Sequence, residues 1–118
     1  MSLLADLAAT PGVIAAGEYS YRGDRFTYKG HLDDETARMA SIMCRATTMG
    51  VHMETAMMNK LHDCCGVAPA RGWAVKGPQF TVCVVANVFC FLDNRGASLN
   101  QVLGMMQERL AGVSDELI

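Results

Sequence analysis

The longest uninterrupted segment of the sequence is residues 33–64, DDETARMASIMCRATTMGVHMETAMMNKLHDC. It contains no proline and one glycine, Gly50, and either Asp33 or Asp34 can cap a helix at its start. These features predict a helix of about 30 residues and about 45 Å. A rod of that length exceeds the width of a 118-residue globule, so the core of its own domain cannot cover it.

A heptad seam runs along this helix in steps of 4, 3, 4, 3 and 4 residues: Met39, Met43, Ala46, Gly50, Met53 and Met57. The small residues at its centre, Ala46 and Gly50, would let a second helix approach closely. Further apolar residues widen the surface beyond one stripe: Ile42, Met49, Ala56 and Met58. We therefore predict that the seam is an interface between two copies of the chain. The alternative is that it faces the core of its own domain.

Around the long helix, the sequence predicts two shorter helices and five strands. Ser2 can cap a first helix that ends near Thr10, before Pro11, and Ser98 with Gln101 forms a capping-box pattern at the start of the last helix. The strands are predicted at residues 13–19, 25–29, 72–75, 80–85 and 88–92. We expect one domain over residues 1–113, followed by a frayed tail at 114–118.

The strands at 80–85 and 88–92 are apolar on both faces, which is typical of central strands covered on both sides. The dipeptide Ala86-Asn87 between them fits a tight hairpin in which Asn87 takes a positive φ. Trp73 is assigned to packing, either in the core or in the predicted dimer interface. A ligand platform formed by Trp73 and Tyr28 is the alternative.

Composition excludes several classes of function. The chain is 51% hydrophobic and 19% charged, which excludes a disordered protein. Its net charge of −2 argues against the basic surface that binding to nucleic acid or anionic membranes requires. No apolar run approaches the ~20 residues of a membrane span. The five cysteines cannot all pair within the chain, and the first residues do not form a signal peptide. We expect a cytoplasmic protein with free thiols.

Reactive chemistry is concentrated in one tetrapeptide, His62-Asp63-Cys64-Cys65. A metal site needs about four ligands, and no second ligand pair of suitable spacing exists, so no metal or other cofactor is predicted. Cys64 and Cys65 are candidate reactive thiols, with incidental structural thiols as the simpler interpretation. The sequence has no nucleophile motif and no glycine-rich phosphate loop, so we expect a protein that is not an enzyme.

The remaining cysteines are Cys44 in the long helix and Cys83 and Cys90 in the apolar strands. Free cysteine is among the most buried residue types, so these three are predicted to be small core residues.

Three stretches carry a resemblance to a known family. Residues 11–17, PGVIAAG, and residues 88–92, VFCFL, followed by Ser98-Leu99-Asn100, resemble the first strand, last strand and closing helix of the roadblock / dynein light chain superfamily. Residues 72–75, GWAV, resemble a small uncharacterised bacterial branch of it. The resemblance covers nearly the whole chain and implies a profilin-like α+β fold. That fold has the order α-β-β-α-β-β-β-α, one antiparallel five-stranded sheet and helices on both faces.

The resemblance also implies a function. Members of the superfamily are non-catalytic scaffolds or regulators that dimerise, packing their long helices together and joining their middle strands edge to edge. They act beside small GTPases or motor complexes, so the expected partners are a second copy of the chain and an unidentified protein, such as a small GTPase. Two alternatives remain: a thiol-bearing accessory subunit of a redox or sulfur-metabolism complex, and a small-molecule sensor that binds between helix and sheet.

Overall fold

The computed structural model describes residues 2–20, 22–61 and 70–112. The element order is α-β-β-α-β-β-β-α, which confirms the predicted fold class. The helices are α1 (Leu3–Ala9), α2 (Asp34–Leu61) and α3 (Leu99–Arg109). The strands are β1 (Val13–Tyr19), β2 (Phe26–Gly30), β3 (Gly72–Lys76), β4 (Phe80–Val85) and β5 (Val88–Asp93).

All five strands form one antiparallel sheet in the order β2-β1-β5-β4-β3. The prediction of central strands is confirmed, because β5 is the middle strand and β4 is interior. One detail of it is wrong: Phe80, at the start of β4, is exposed. Phe80 is paired with Asp93 at the open end of the β4–β5 ladder, farthest from the hairpin.

A close approach between β1 and β5 depends on glycine. Gly17 lies opposite Phe89 in the register, and a Cβ at position 17 would overlap the Phe89 ring. The small residues that the sequence places in β1 therefore make room for an aromatic ring from the neighbouring strand.

Helices cover both faces of the sheet, as predicted. α1 and α3 pack on one face, where Leu7, Cys90 and Met106 are fully buried. α2 packs on the other face over Tyr19 and Phe89. The α2 residues that meet the sheet are all small: Ala37, Ala40, Ser41, Cys44 and Thr48. Small side chains let the helix axis lie close to the sheet.

Local capping signals act as the sequence indicates. Asp33, one of two candidates, caps α2 by accepting a hydrogen bond from the Thr36 N–H (2.7 Å). Ser98 accepts one from the Gln101 N–H at the start of α3 (3.3 Å). The prediction for the hairpin is wrong in one respect, because Ala86 and not Asn87 has the positive φ. Asn87 instead bonds through its side-chain amide to the Tyr19 carbonyl (2.8 Å), which ties the hairpin to β1.

Two predictions fall outside the described residues. The long helix is described to Leu61, so its expected continuation toward Cys64 is not covered. The frayed tail at 114–118 likewise lies beyond the last described residue, Gly112.

Candidate interaction surface

The heptad seam of α2 lies on the side of the helix that faces away from its own sheet. We call this set the methionine face: Met39, Met43, Ala46, Gly50, Met53 and Met57. At 3.6 residues per turn, its centre is roughly 150° around the helix from the centre of the buried stripe. Met53 is 69% exposed and Met57 is 65% exposed. The alternative that the seam forms the core of its own domain is therefore wrong.

The second half of α2 extends beyond the sheet. Thr48 is the last buried residue, and none of the residues from Met49 to Leu61 is buried, over about 20 Å of helix. Exposed apolar side chains occur throughout this half, ending with Leu61 at 77% exposure. The predicted excess of helix length over the core is confirmed.

The anchor point of α2 is a hydrogen-bonded junction of three residues. The Trp73 indole N–H donates to the Thr48 hydroxyl oxygen (2.8 Å), and the Tyr19 and Thr48 hydroxyls are 3.1 Å apart. Tyr19 lies on β1 and Trp73 on β3, so the junction fastens one helix to two strands. Trp73 is half-buried and serves packing within the chain, and its assignment to a dimer interface stays a prediction.

β3 is an edge strand of the described sheet, bonded to β4 on one side. Its exposed Val75 lies opposite Val82, on the sheet face that also carries α2. Phe80 alternates with Val82 and shares that face. An open edge offers unpaired backbone donors and acceptors to another strand. The apolar side chains of β3 and β4 lie beside that edge.

Exposed apolar residues are concentrated on these elements. Residues 2–20, 22–61 and 70–112 include ten exposed large hydrophobic side chains. Eight of them lie on α2, and the other two are Val75 and Phe80. A surface of this composition is typical of a protein contact. Sequence reasoning missed Val75 and Phe80, although the alternation Trp73, Val75 in β3 could have indicated which face they share.

A family model described as an uncharacterized conserved protein, DUF2173, matches residues 3–108. The chain belongs to the DUF2173 family. Its fold is similar to that of a solved structure, the crystal structure of a Roadblock/LC7 domain from Streptomyces avermitilis. That similarity has a TM-score of 0.63 and 15% sequence identity, and it covers 92% of each chain. The comparison with curated proteins gave no match.

The described thiols of the DUF2173 chain are buried. Cys44, Cys83 and Cys90 are free and lie in the core, as predicted. Burial raises the pKa of Cys44 to about 12. Contact with the Cys83 thiol, together with burial, raises the pKa of Cys90. Thiolate formation is therefore suppressed at Cys44 and Cys90 near neutral pH.

The candidate reactive thiols, Cys64 and Cys65, lie outside the described residues, as does His62. Within the described ranges, no group of three or more His, Cys, Asp and Glu side chains is arranged to hold a metal ion. None of the described helices combines the length and apolarity needed to cross a membrane.

Proposed function

We propose that this DUF2173 protein is a non-catalytic module that forms a homodimer through α2 and the β3 edge and presents the assembled dimer to a further protein. The observation that carries the proposal is the methionine face, which is apolar, exposed and directed away from the sheet. Two copies related by a twofold axis would bury this same face on both chains.

The energetics favour an apolar contact along the whole face. Burying a methionine side chain that is about two-thirds exposed contributes roughly 1–2 kcal/mol. Association costs at least several kcal/mol in lost translational and rotational freedom, so one or two methionines are insufficient and the contact must run along the helix. Gly50 lies mid-face, and among the described residues no atom beyond the adjacent helix backbone lies within 4 Å of a Cβ position, which leaves room for a partner helix.

The β3 edge provides a second, independent means of association. Pairing two such edges would satisfy main-chain groups and would bring the exposed Val75 and Phe80 of both copies together. Specific interfaces bury about 800 Å² on each partner. A helix face and a strand edge together reach this area more readily than either does alone.

The protein partner is proposed from the roadblock resemblance of residues 11–17 and 88–92, and a small GTPase is the first candidate. Methionine side chains suit such a role because they are flexible and polarizable and adapt to different surfaces. Cys83 and Cys90 face each other across β4 and β5 as free thiols, which supports a reducing, cytoplasmic location.

Light scattering after size exclusion at micromolar concentration tests the dimer. We expect twice the 12.8 kDa mass of one chain. Met57→Glu should shift the protein toward the monomer, because it places a charge within an apolar contact. Met58→Glu is the matched control, since its side chain is also exposed but points about 100° away from the methionine face. A monomeric wild type, or equal effects of the two variants, would contradict the proposed interface.

A pull-down from the native organism, analysed by mass spectrometry, tests the partner. We expect a small GTPase to be recovered with the wild type. Recovery of a redox or sulfur-transfer enzyme instead would favour the alternative of a thiol-bearing accessory subunit.

A further inference from the structure

A cavity of about 300 Å³ lies between the β1–β2 loop and the flank of α2. Four arginines line it: Arg22 and Arg25 from the loop, and Arg38 and Arg45 from the helix. Arginines this concentrated are unexpected in a chain whose net charge is −2. The cavity lies to one side of the methionine face, and the residues that line it belong to a single chain.

The loop side of the cavity is held rigidly by Ser20. The Ser20 hydroxyl oxygen accepts hydrogen bonds from the N–H groups of Asp24 and Arg25 (both 3.1 Å) and donates one to the Asp24 carboxylate (2.7 Å). The Gly23 N–H in turn donates to the Ser20 carbonyl (2.9 Å). These bonds fix the backbone of residues 23–25 against Ser20, so this part of the site needs little ordering when a ligand binds.

The helix side is equally defined. Arg38 and Arg45 are two turns apart on the same side of α2, with Ile42 between them. The Arg38 guanidinium is oriented by an ion pair with Glu35 (Nη2 to Oε1, 2.6 Å). A Cβ at Gly23 would lie 3.4 Å from Arg45 Cδ, so the loop and the helix meet at this arginine.

The charge balance of the cavity favours an anion. Among the described residues that line it, the one acidic residue is Asp24, which already accepts hydrogen bonds, and the bond from Ser20 holds the pKa of its carboxyl below the ordinary value. Glu35, outside the lining, pairs with Arg38, so two carboxylates face four guanidinium groups and a net positive charge remains. An oxyanion placed among them would relieve their mutual repulsion and could accept several charge-assisted hydrogen bonds.

We propose that this arginine cavity binds a small molecule that carries one or two phosphate groups. Arginine presents its N–H donors in a planar fork that matches phosphate oxygens. The volume is at the lower end for ligand sites, so it suits a compact phosphate compound and not a dinucleotide. Side chains replace the glycine-rich loop that the sequence lacks.

Calorimetric titration of the full-length protein with sodium pyrophosphate in dilute salt tests the site. We expect a 1:1 complex with a dissociation constant below about 1 mM, at least fivefold weaker in Arg22→Gln and in Arg25→Gln. Arg95→Gln is the matched control, because it removes the same charge from an exposed arginine outside the cavity. We expect its affinity to stay within twofold of the wild type.

Amide chemical shifts locate the binding independently of affinity. Pyrophosphate should move the Gly23, Asp24 and Arg25 amide signals while leaving those of α3 in place. Absence of binding at 10 mM pyrophosphate, or equal weakening by Arg95→Gln, would overturn the proposal. Succinate binding as tightly as pyrophosphate would overturn the choice of phosphate. Tighter binding of a phosphoserine peptide would overturn the choice of a small molecule.

Discussion

Replacing Gly50 by leucine should change the stability of one chain and the stability of the dimer in opposite directions. Gly50 lies mid-helix, and a Cβ there would meet no described atom beyond the adjacent helix backbone within 4 Å. Leucine is a much better helix former than glycine, so the isolated chain should gain about 0.5–1 kcal/mol in its free energy of unfolding.

The dimer should lose affinity in the same variant. If the two α2 helices approach closely at Gly50, each added leucine overpacks the contact at a cost of about 1–3 kcal/mol. Twofold symmetry doubles that cost, which corresponds to a dissociation constant weaker by roughly 30-fold or more.

Sedimentation equilibrium measures the dissociation constant, and thermal unfolding at a concentration below it measures the single chain. Gly104→Leu is the matched control, because Gly104 lies in α3, is absent from the methionine face and has no described atom beyond its own helix backbone within 4 Å of a Cβ position. It should share the gain in helix stability without the loss of affinity. A Gly50→Leu protein that dimerises as tightly as the wild type would refute close approach at this point.

Further predictions concern the core. Thr48→Val should lower the free energy of unfolding by about 1–3 kcal/mol, because the Trp73 indole N–H and a buried tyrosine hydroxyl lose their shared partner; urea denaturation measures this. Gly17→Ala should cost about 1–3 kcal/mol in the same assay, since its Cβ would overlap the Phe89 ring. The free energy of unfolding should fall as the pH rises above 9, because the pKa of the Cys44 thiol is 9.0 in the unfolded chain and about 12 in the folded one. Cys44→Ala should reduce the slope of stability against pH in this range.

Each of these has an outcome that would count against it. Thr47→Val is the control for Thr48→Val, since Thr47 is the exposed neighbour of Thr48. Equal losses of unfolding free energy in the two variants would show that the buried Thr48 hydroxyl has no special role. A stable Gly17→Ala would show that the ring can move aside at little cost. An unchanged slope above pH 9 in Cys44→Ala would mean that another group sets the alkaline limit.

Thiol titration of the folded protein separates the buried cysteines from Cys64 and Cys65. Cys44 and Cys90 should react slowly at pH 8, because raised pKa values keep them protonated. Two rapidly reacting thiols would then be assigned to Cys64 and Cys65, and Cys64→Ser with Cys65→Ser should abolish the fast phase. Fast reaction that persists in that double variant would contradict the burial of the core thiols.

Element order and most element bounds were predictable because their signals are local. Pro11 with Gly12 ends the first helix, Ser98 caps the last one, and the steps of the heptad seam are visible along α2 without any partner. The two-sided apolar pattern of residues 80–85 and 88–92 likewise indicated interior strands. Each signal lies within a few residues of the feature that it predicts.

Other features depend on residues far apart in the chain. α2 is apolar over much of its circumference, so periodicity alone could not show which side meets the sheet. Its small residues pack inward because the Tyr19 and Phe89 rings already occupy the space beneath it. The β1–β5 pairing joins opposite ends of the domain and carries no local signal.

The sequence by itself therefore determined the elements, their order and the heptad spacing along α2, since hydrophobic period, caps and turn residues act over a few positions. The tertiary structure alone decided strand order, the face of α2 that packs inward and the cavity that unites Arg22 and Arg25 with Arg38 and Arg45. Those four arginines occur in the sequence as two unrelated surface pairs. They share one cavity because α2 crosses the sheet beside the β1–β2 loop, a consequence of packing that no single segment encodes.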